Sequence, residues 1–399
     1  MALAFNIQTT AVPIRKHGHV AVTWKNATLI WGGYSPHNSG DKKSTVHYHH
    51  RRKWTPMETS GDLPQFFRNA EAHVLKDKMF VLNQDNNGQI VMHTLDLHSW
   101  IWTKLIPSGT SPSRDSTSIG SWAYNGKIYF LGGINFSTMI MSNQFVIYNV
   151  STNSWEWPEK SGDVPSPRLW PLITISDDSV FLFGGFTDGG YCNDLHLLDM
   201  PSMRWQVVHG NSMSNGQGPT FSSSRVYSFT NISQSSAAII GAYKDSGHYI
   251  DDCWLLNLHN AKKLMDPSVI WTKITNPYPR CWHAAVMQPL SRRLWVIGGF
   301  EDHKYPNATY QISYATNILK LNFTKLCSLK DLAMDYVARN ICAHDPRLAP
   351  EDQMTRQLRD EIEAYRCEIG DQYSCPDEDW RKSACPLEEK RKSYELPSS

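Results

Sequence analysis

The stretch FLFGGF, Phe181–Phe186, decides how this chain is read: an apolar run ends abruptly in two adjacent glycines. The same figure recurs as LIWGGY (Leu29–Tyr34), YFLGGI (Tyr129–Ile134) and WVIGGF (Trp295–Phe300), and in degraded form as FVLNQD around Asn83 and AIIGAY around Gly241. The first position of each pair falls at 32, 83, 132, 184, 241 and 298, a step of 49 to 57 residues, which makes six units. A period of this length is the mark of a repeat architecture. Short apolar runs closed by glycine read as buried strands followed by turns. Two glycines after a buried strand permit positive φ and close approach of a neighbouring backbone.

A second strand follows each pair and ends in an aromatic residue, with a Trp some residues later: Tyr48 with Trp54, Tyr148 with Trp155, Trp254 with the more distant Trp271. Such a Trp fills the wedge between adjacent sheets, and a radial arrangement of four-stranded units covers each sheet with its neighbours. The bulk composition agrees. The 399 residues are 41% hydrophobic and only 19% charged, with 15 Trp, 17 Tyr and 24 Gly. The formal net charge of +1 lacks the basic excess with which nucleic-acid binders displace counterions, so no nucleic-acid partner is expected.

Neither a leader with an apolar core nor a membrane-spanning apolar run is visible, so a soluble protein of the cytoplasm or nucleus, without a membrane partner, is expected. The eight cysteines begin only at Cys192 and include no CxxC pair, which argues against a disulfide framework or zinc finger.

Gly-Gly with spaced Tyr and Trp in six registers resembles the kelch-repeat family, over roughly residues 10 to 325. The resemblance implies an all-β fold: a six-bladed kelch β-propeller over 1–325. The last unit lacks its fourth strand, and the N-terminal segment FNIQTTAVP is expected to supply it. No sialidase-type SxDxGxxW box, GxSxG elbow, HExxH helix or P-loop occurs, and the constellation of a kelch copper oxidase has no cysteine before Cys192 to draw on. A binding platform without cofactor or metal, not an enzyme, is therefore expected. His19, His73 and His283 fall on strand positions and read as core or interblade histidines. The run HYHHRR, His47–Arg52, reads as a solvated outer strand.

After the last unit comes SLKDLAMDYV, with Leu329, Leu332, Ala333, Tyr336 and Val337 on one helical face and Ser328 as N-cap, Asp331 completing a capping box. Its Ser328, Leu329, Ala333 and Val337 resemble, position by position, the box by which substrate receptors of cullin ligases bind elongins B and C. A second helix is expected from Pro350 through Arg366, with Met354, Leu358, Ile362 and Tyr365 on one face. This α-helical pair, 326–366, would form the adaptor- and cullin-binding box, with 367–399 a flexible tail. Propeller plus pair resembles the kelch-domain-containing substrate receptors of cullin-2 ligases. That implies elongin B, elongin C and cullin-2 as partners, or cullin-5, since the polar Gln353 departs from the family's cullin box. The other reading is a kelch interaction scaffold with no ligase role.

The ligand site is expected at one mouth of the channel. Each unit carries an arginine 15 to 18 residues before its pair: Arg15, Arg68, Arg114, Arg168, Arg225 and Arg280. About half are expected to act only as interblade struts. The others, with Trp170, Trp282, Tyr191 and Ser224, would hold a target's acidic or C-terminal carboxylate, since guanidinium grips carboxylate bidentately. In the family's diglycine readers, arginines stand where this chain has Phe186 and Tyr191, so diglycine specificity is not carried over.

Overall fold

The computed structural model describes residues 6–322, apart from 12–15, 35–44, 51–52, 65–69, 85–89, 113–115, 118–119, 136–137, 213–227, 234–235, 241–251, 259, 262–266, 276–279, 281, 289–292, 305–310 and 315–316. The chain divides into two compact units, Met1–Cys327 and Ser328–Ser399, and the described residues all belong to the first. Both expected helices, with Ser328, Leu329, Leu332, Ala333, Val337, Pro350, Met354 and Leu358, lie outside the described residues, as do Arg15, Arg68, Arg114, Ser224 and Arg225.

The architecture is all-β and propeller-like, without a helix among the described residues. Six sheets of four or five strands follow one another along the chain. The first runs outward through His17–Trp24, Ala27–Tyr34, Thr45–His50 and Lys53–Glu58. The fourth shows the same antiparallel order in Leu172–Ser176, Ser179–Thr187, Gly190–Asp199 and Arg204–Val207. The innermost strands, beginning at His17, Glu71, Gly120, Leu172, Ser228 and Ala284, contact one another in sequence and then back to the first, closing a ring.

Outer edges are covered by the chain itself. On leaving the first, third and fourth sheets, Ser60–Gly61, Ser161–Gly162 and His209–Ser212 pair in parallel with the outer strand of the next sheet. Unpaired strand edges invite association with other chains, and these short additions occupy them. The sixth sheet is completed as expected from the N-terminal segment: Asn6–Ala11 pairs antiparallel with Asn317–Asn322, Ile7 opposite Leu321 and Thr9 opposite Leu319. The two ends of the ring are thus joined by main-chain hydrogen bonds.

Burial explains the repeat. Each gap between neighbouring sheets holds its own apolar cluster, and the spaced Trp of a unit packs toward the preceding sheet. Trp102 of the second sheet lies 5.1 Å from Trp31 of the first, and its Nε1 donates to Thr59 Oγ1 at 2.9 Å. Trp155, Trp205 and Trp271 fill the equivalent wedges. Full burial of such a side chain contributes about 2 to 3 kcal/mol, so the register of the Trp is selected by the wedge it fills.

The expectation that HYHHRR is solvated is corrected for its histidines. His47 and His49 are buried, and His49 packs 4.9 Å from Trp54 and 4.7 Å from Trp295 of the sixth sheet. Their strand is the third of its sheet, between two others, so its alternate side chains face the neighbouring sheet instead of water.

Candidate functional site

The Gly-Gly pairs build one mouth of the ring. All four described pairs have positive φ, 59° at Gly184 and 108° at Gly185, for example. The space beside each pair is taken by the lead-in to the next sheet's innermost strand. Gly133 N donates to the Arg168 carbonyl at 3.0 Å, and Gly299 N to the Lys16 carbonyl at 2.8 Å. A Cβ on Gly132 would meet Arg168 O at 2.8 Å, and one on Gly298 would meet Lys16 O at 2.6 Å. Only glycine allows both the turn and the approach.

The side chains of the same lead-ins run inward. Arg168 is buried at 1% exposure. Its Nη1 donates to Gly184 O and to Asp194 Oδ1, both at 2.8 Å, its Nη2 to Asp194 Oδ2 at 2.8 Å and its Nε to Ser166 O at 3.0 Å. Asp194 in turn accepts from His196 Nε2 at 2.8 Å. Burial alone would raise the Asp194 carboxyl, but the bonds from Arg168 and His196 hold it far below the usual carboxylate range. Arg168 therefore takes the strut role, its donors committed within its own sheet and not presented at the mouth. Arg280 is equally buried, its Nη1 3.5 Å from Val296 O. In the first sheet the corresponding residue is Lys16, not Arg15: its buried Nζ donates to Gly32 O at 3.1 Å.

Two residues beyond each strut the chain turns left-handed, with φ of 61° at Gly18, 47° at Trp170 and 57° at Trp282. Bulky residues seldom take this conformation. Near Trp170 it is imposed by a pair of backbone bonds between Leu169 and Phe186 (2.8 and 3.0 Å), and near Trp282 the carbonyl accepts from Gly18 N at 3.1 Å. Both indoles are half-buried. Around Trp282 stand His17, at 6.2 Å, and, against His17, Phe300 at 4.4 Å and Tyr34 at 5.5 Å. Tyr191 packs edge-on to Phe186 at 4.9 Å, on the hairpin that follows the fourth pair. Cys192 beside Arg168 is no nucleophile: burial pushes its thiol up to about 12, against the opposing pull of Arg168.

Below the mouth, the six inner strands surround a central channel of about 410 Å³. His73 lines it and contacts Ser121 Oγ through Nε2 at 2.7 Å. His19 and His283 are buried near the junction of the first and sixth sheets. Burial, and then Lys16 beside His19 and Arg280 beside His283, drives both imidazoles down to about 3. They were expected to be satisfied core histidines, but no ring nitrogen of either has a hydrogen-bond partner within 3.5 Å. Among the described residues no group of three or more His, Cys, Asp or Glu could hold a metal ion.

The repeated Gly-Gly turn, its strut and the ring of sheets agree with comparison to known proteins. The model of the KLHDC2/KLHL20/DRC7 kelch-repeats domain matches residues 18–229, more than half of the chain. This chain belongs to that kelch family. Kelch domain-containing protein 2 of Bos taurus is 24% identical over 316 residues, covering 69% of this chain and 73% of that protein. Kelch domain-containing protein 1 of Homo sapiens is 22% identical over 335 residues, covering 74% and 78%. Among solved structures, that of YjhT aligns with a TM-score of 0.57 and 14% identity over 78% of this chain and 98% of its own, a likeness of fold.

The kelch unit hid some of its functional geometry from the sequence. Spacing pointed to Arg15 where the strut is Lys16, because a count of 15 to 18 residues does not choose between neighbouring cations. Asp194 and His196, which hold Arg168, carried a weak signal in their alternation along Asp194–Leu195–His196. Ser121 and Glu71 carried none.

Proposed function

We propose that this chain is the substrate-recognition subunit of an elongin B, elongin C and cullin-2 ubiquitin ligase, its kelch propeller binding a degron of a target protein. One observation carries the reading: Ser328, Leu329, Ala333 and Val337 meet the adaptor box residue by residue, and they begin where the first compact unit of a kelch-family chain ends, at Cys327. Family membership supports protein binding as the propeller's task, with six blades closed by the N-terminal strand and no catalytic step. Pro350, Met354 and Leu358 would face the cullin, with cullin-5 as the alternative to cullin-2, in the cytoplasm or nucleus.

With Arg168 and Arg280 committed inward, the degron contact falls to the half-buried Trp170 and Trp282, to Tyr191, and to Arg225 beside Ser224 in the fifth unit. An arginine and aromatic side chains suit a chain terminus, since guanidinium grips the carboxylate while indole covers the adjoining residue.

The test is co-purification of the full chain with elongins B and C and cullin-2, followed by binding of a captured target's C-terminal peptide with a free and an amidated end. Retention of the adaptor with tighter binding of the free carboxylate supports both parts. Absence of elongins from a folded, peptide-binding chain leaves the scaffold reading. Equal binding of the amidated peptide removes the terminal carboxylate.

A further inference from the structure

The central channel carries a polar cluster that the degron reading does not use. Ser121 Oγ, on the innermost strand of the third sheet, donates to Glu71 Oε2 at 2.6 Å on that of the second. With its proton so engaged, Ser121 accepts from His73 Nε2 at 2.7 Å, and the neutral imidazole is left with Nδ1 as an acceptor. Three side chains from two sheets are thereby oriented in one direction, from His73 through Ser121 to the Glu71 carboxylate. In the ring's order the fifth sheet stands across the channel from the second. There Asn231 lines the wall beside a strand irregularity, and its buried Oδ1 has no hydrogen-bond partner. Between these poles the wall is apolar, with Ile173, Phe229 and Val286 among its residues.

We propose that the central channel binds a short alkyl cation, a primary ammonium whose charge is met by Glu71 in its Ser121–His73 chain and whose far end donates to Asn231 Oδ1. The orphan acceptor and the carboxylate call for donors on both sides, and the wall between them calls for methylene groups. A cavity of about 410 Å³ holds such a chain with water to spare. The ammonium comes either from a free diamine or from a lysine side chain of a bound protein, and the two sources share this chemistry.

Proton linkage gives the site a signature. Burial pushes the Glu71 carboxyl up to about 7, the Ser121 bond pulling the other way, and burial drives His73 down to about 4. The groups facing Glu71 are Ser121 from the neighbouring strand and His73 from its own, and no charged side chain contributes to its shift. A cation prefers the ionised carboxylate, so affinity rises with pH through this range, roughly tenfold between pH 6 and pH 8 for a carboxyl titrating near 7.

Calorimetric titration of the full chain with 1,4-diaminobutane, with N-acetyl-lysine methylamide and with the uncharged 1,4-butanediol tests the site. Binding of a cation that strengthens from pH 6 to pH 8, and that Glu71→Gln weakens by roughly tenfold or more, supports it. Diaminobutane bound alone identifies a free ligand, while the lysine mimic bound as well identifies a side chain. Butanediol bound as tightly as the diamine overturns the proposal, and so does the absence of heat from either cation at millimolar concentration. The wild-type pH series and the diol comparison stand even if the variant fails to fold.

Discussion

Gly299 N donates to the Lys16 carbonyl at 2.8 Å, which ties the last repeat of the chain directly to the first. The bond repeats, across the closing junction, what Gly133 and Arg168 do between the third and fourth sheets. Together with the pairing of Asn6–Ala11 on Asn317–Asn322, it makes closure of the ring a local matter of one glycine pair and one strand.

Gly298→Ala should therefore act as a closure mutation. Its φ of 64° and the 2.6 Å approach of Lys16 O leave no room for a methyl group, so a loss of about 2 to 4 kcal/mol is expected. Gly126→Ala, at a turn with similar φ but open space, should cost only about 1 kcal/mol. Urea unfolding of the two variants measures the difference, and equal losses would show that the close approach does not matter.

Arg168 and Asp194 form a buried brace, which a double-mutant cycle can weigh. Asp194→Asn strands a buried guanidinium and should cost about 3 kcal/mol, whereas Arg168→Met combined with Asp194→Leu should cost clearly less than the sum of the single changes. Strict additivity would mean that the pair does not act as a unit. Degron affinity of the folded fraction should be unchanged in these variants, since neither group opens on the mouth.

Acid should loosen the junction of the first and sixth sheets. His19 and His283 are held neutral in the fold, down to about 3, against an ordinary 6.5. The unfolded chain binds the additional protons, so stability is full above about pH 6.5 and is lost as pH falls toward 3. At pH 5 each histidine accounts for up to about 2 kcal/mol. His283→Gln should flatten the fall in melting temperature between pH 7 and pH 5. A slope equal to that of the wild type would place the acid sensitivity elsewhere.

The adaptor box gives the sharpest functional variants. If Leu329 anchors the helix in a groove, Leu329→Ala should weaken elongin binding by about 2 kcal/mol or more, and Ala333→Arg should abolish it by blocking approach. Both chains should keep the wild-type melting temperature when no partner is present. Elongin capture at wild-type level by both variants would remove the box assignment, and a lowered melting temperature without partner would favour the scaffold reading.

What the sequence determined by itself was everything that repeats. A buried strand needs apolar residues, a turn against a neighbouring backbone needs Gly-Gly, and a wedge needs a Trp. These local requirements recur about every fifty residues, and the missing last strand pointed to the N-terminus. Tertiary structure decided what depends on pairs of residues far apart in the chain. Glu71 and Ser121 stand 50 residues apart and meet because the inner strands of neighbouring sheets lie side by side. The histidines of HYHHRR are buried because Trp295, some 250 residues later, covers His49. Lys16 rather than Arg15 is the strut because alternation along the lead-in turns only one of two adjacent cations inward, a choice that composition cannot express.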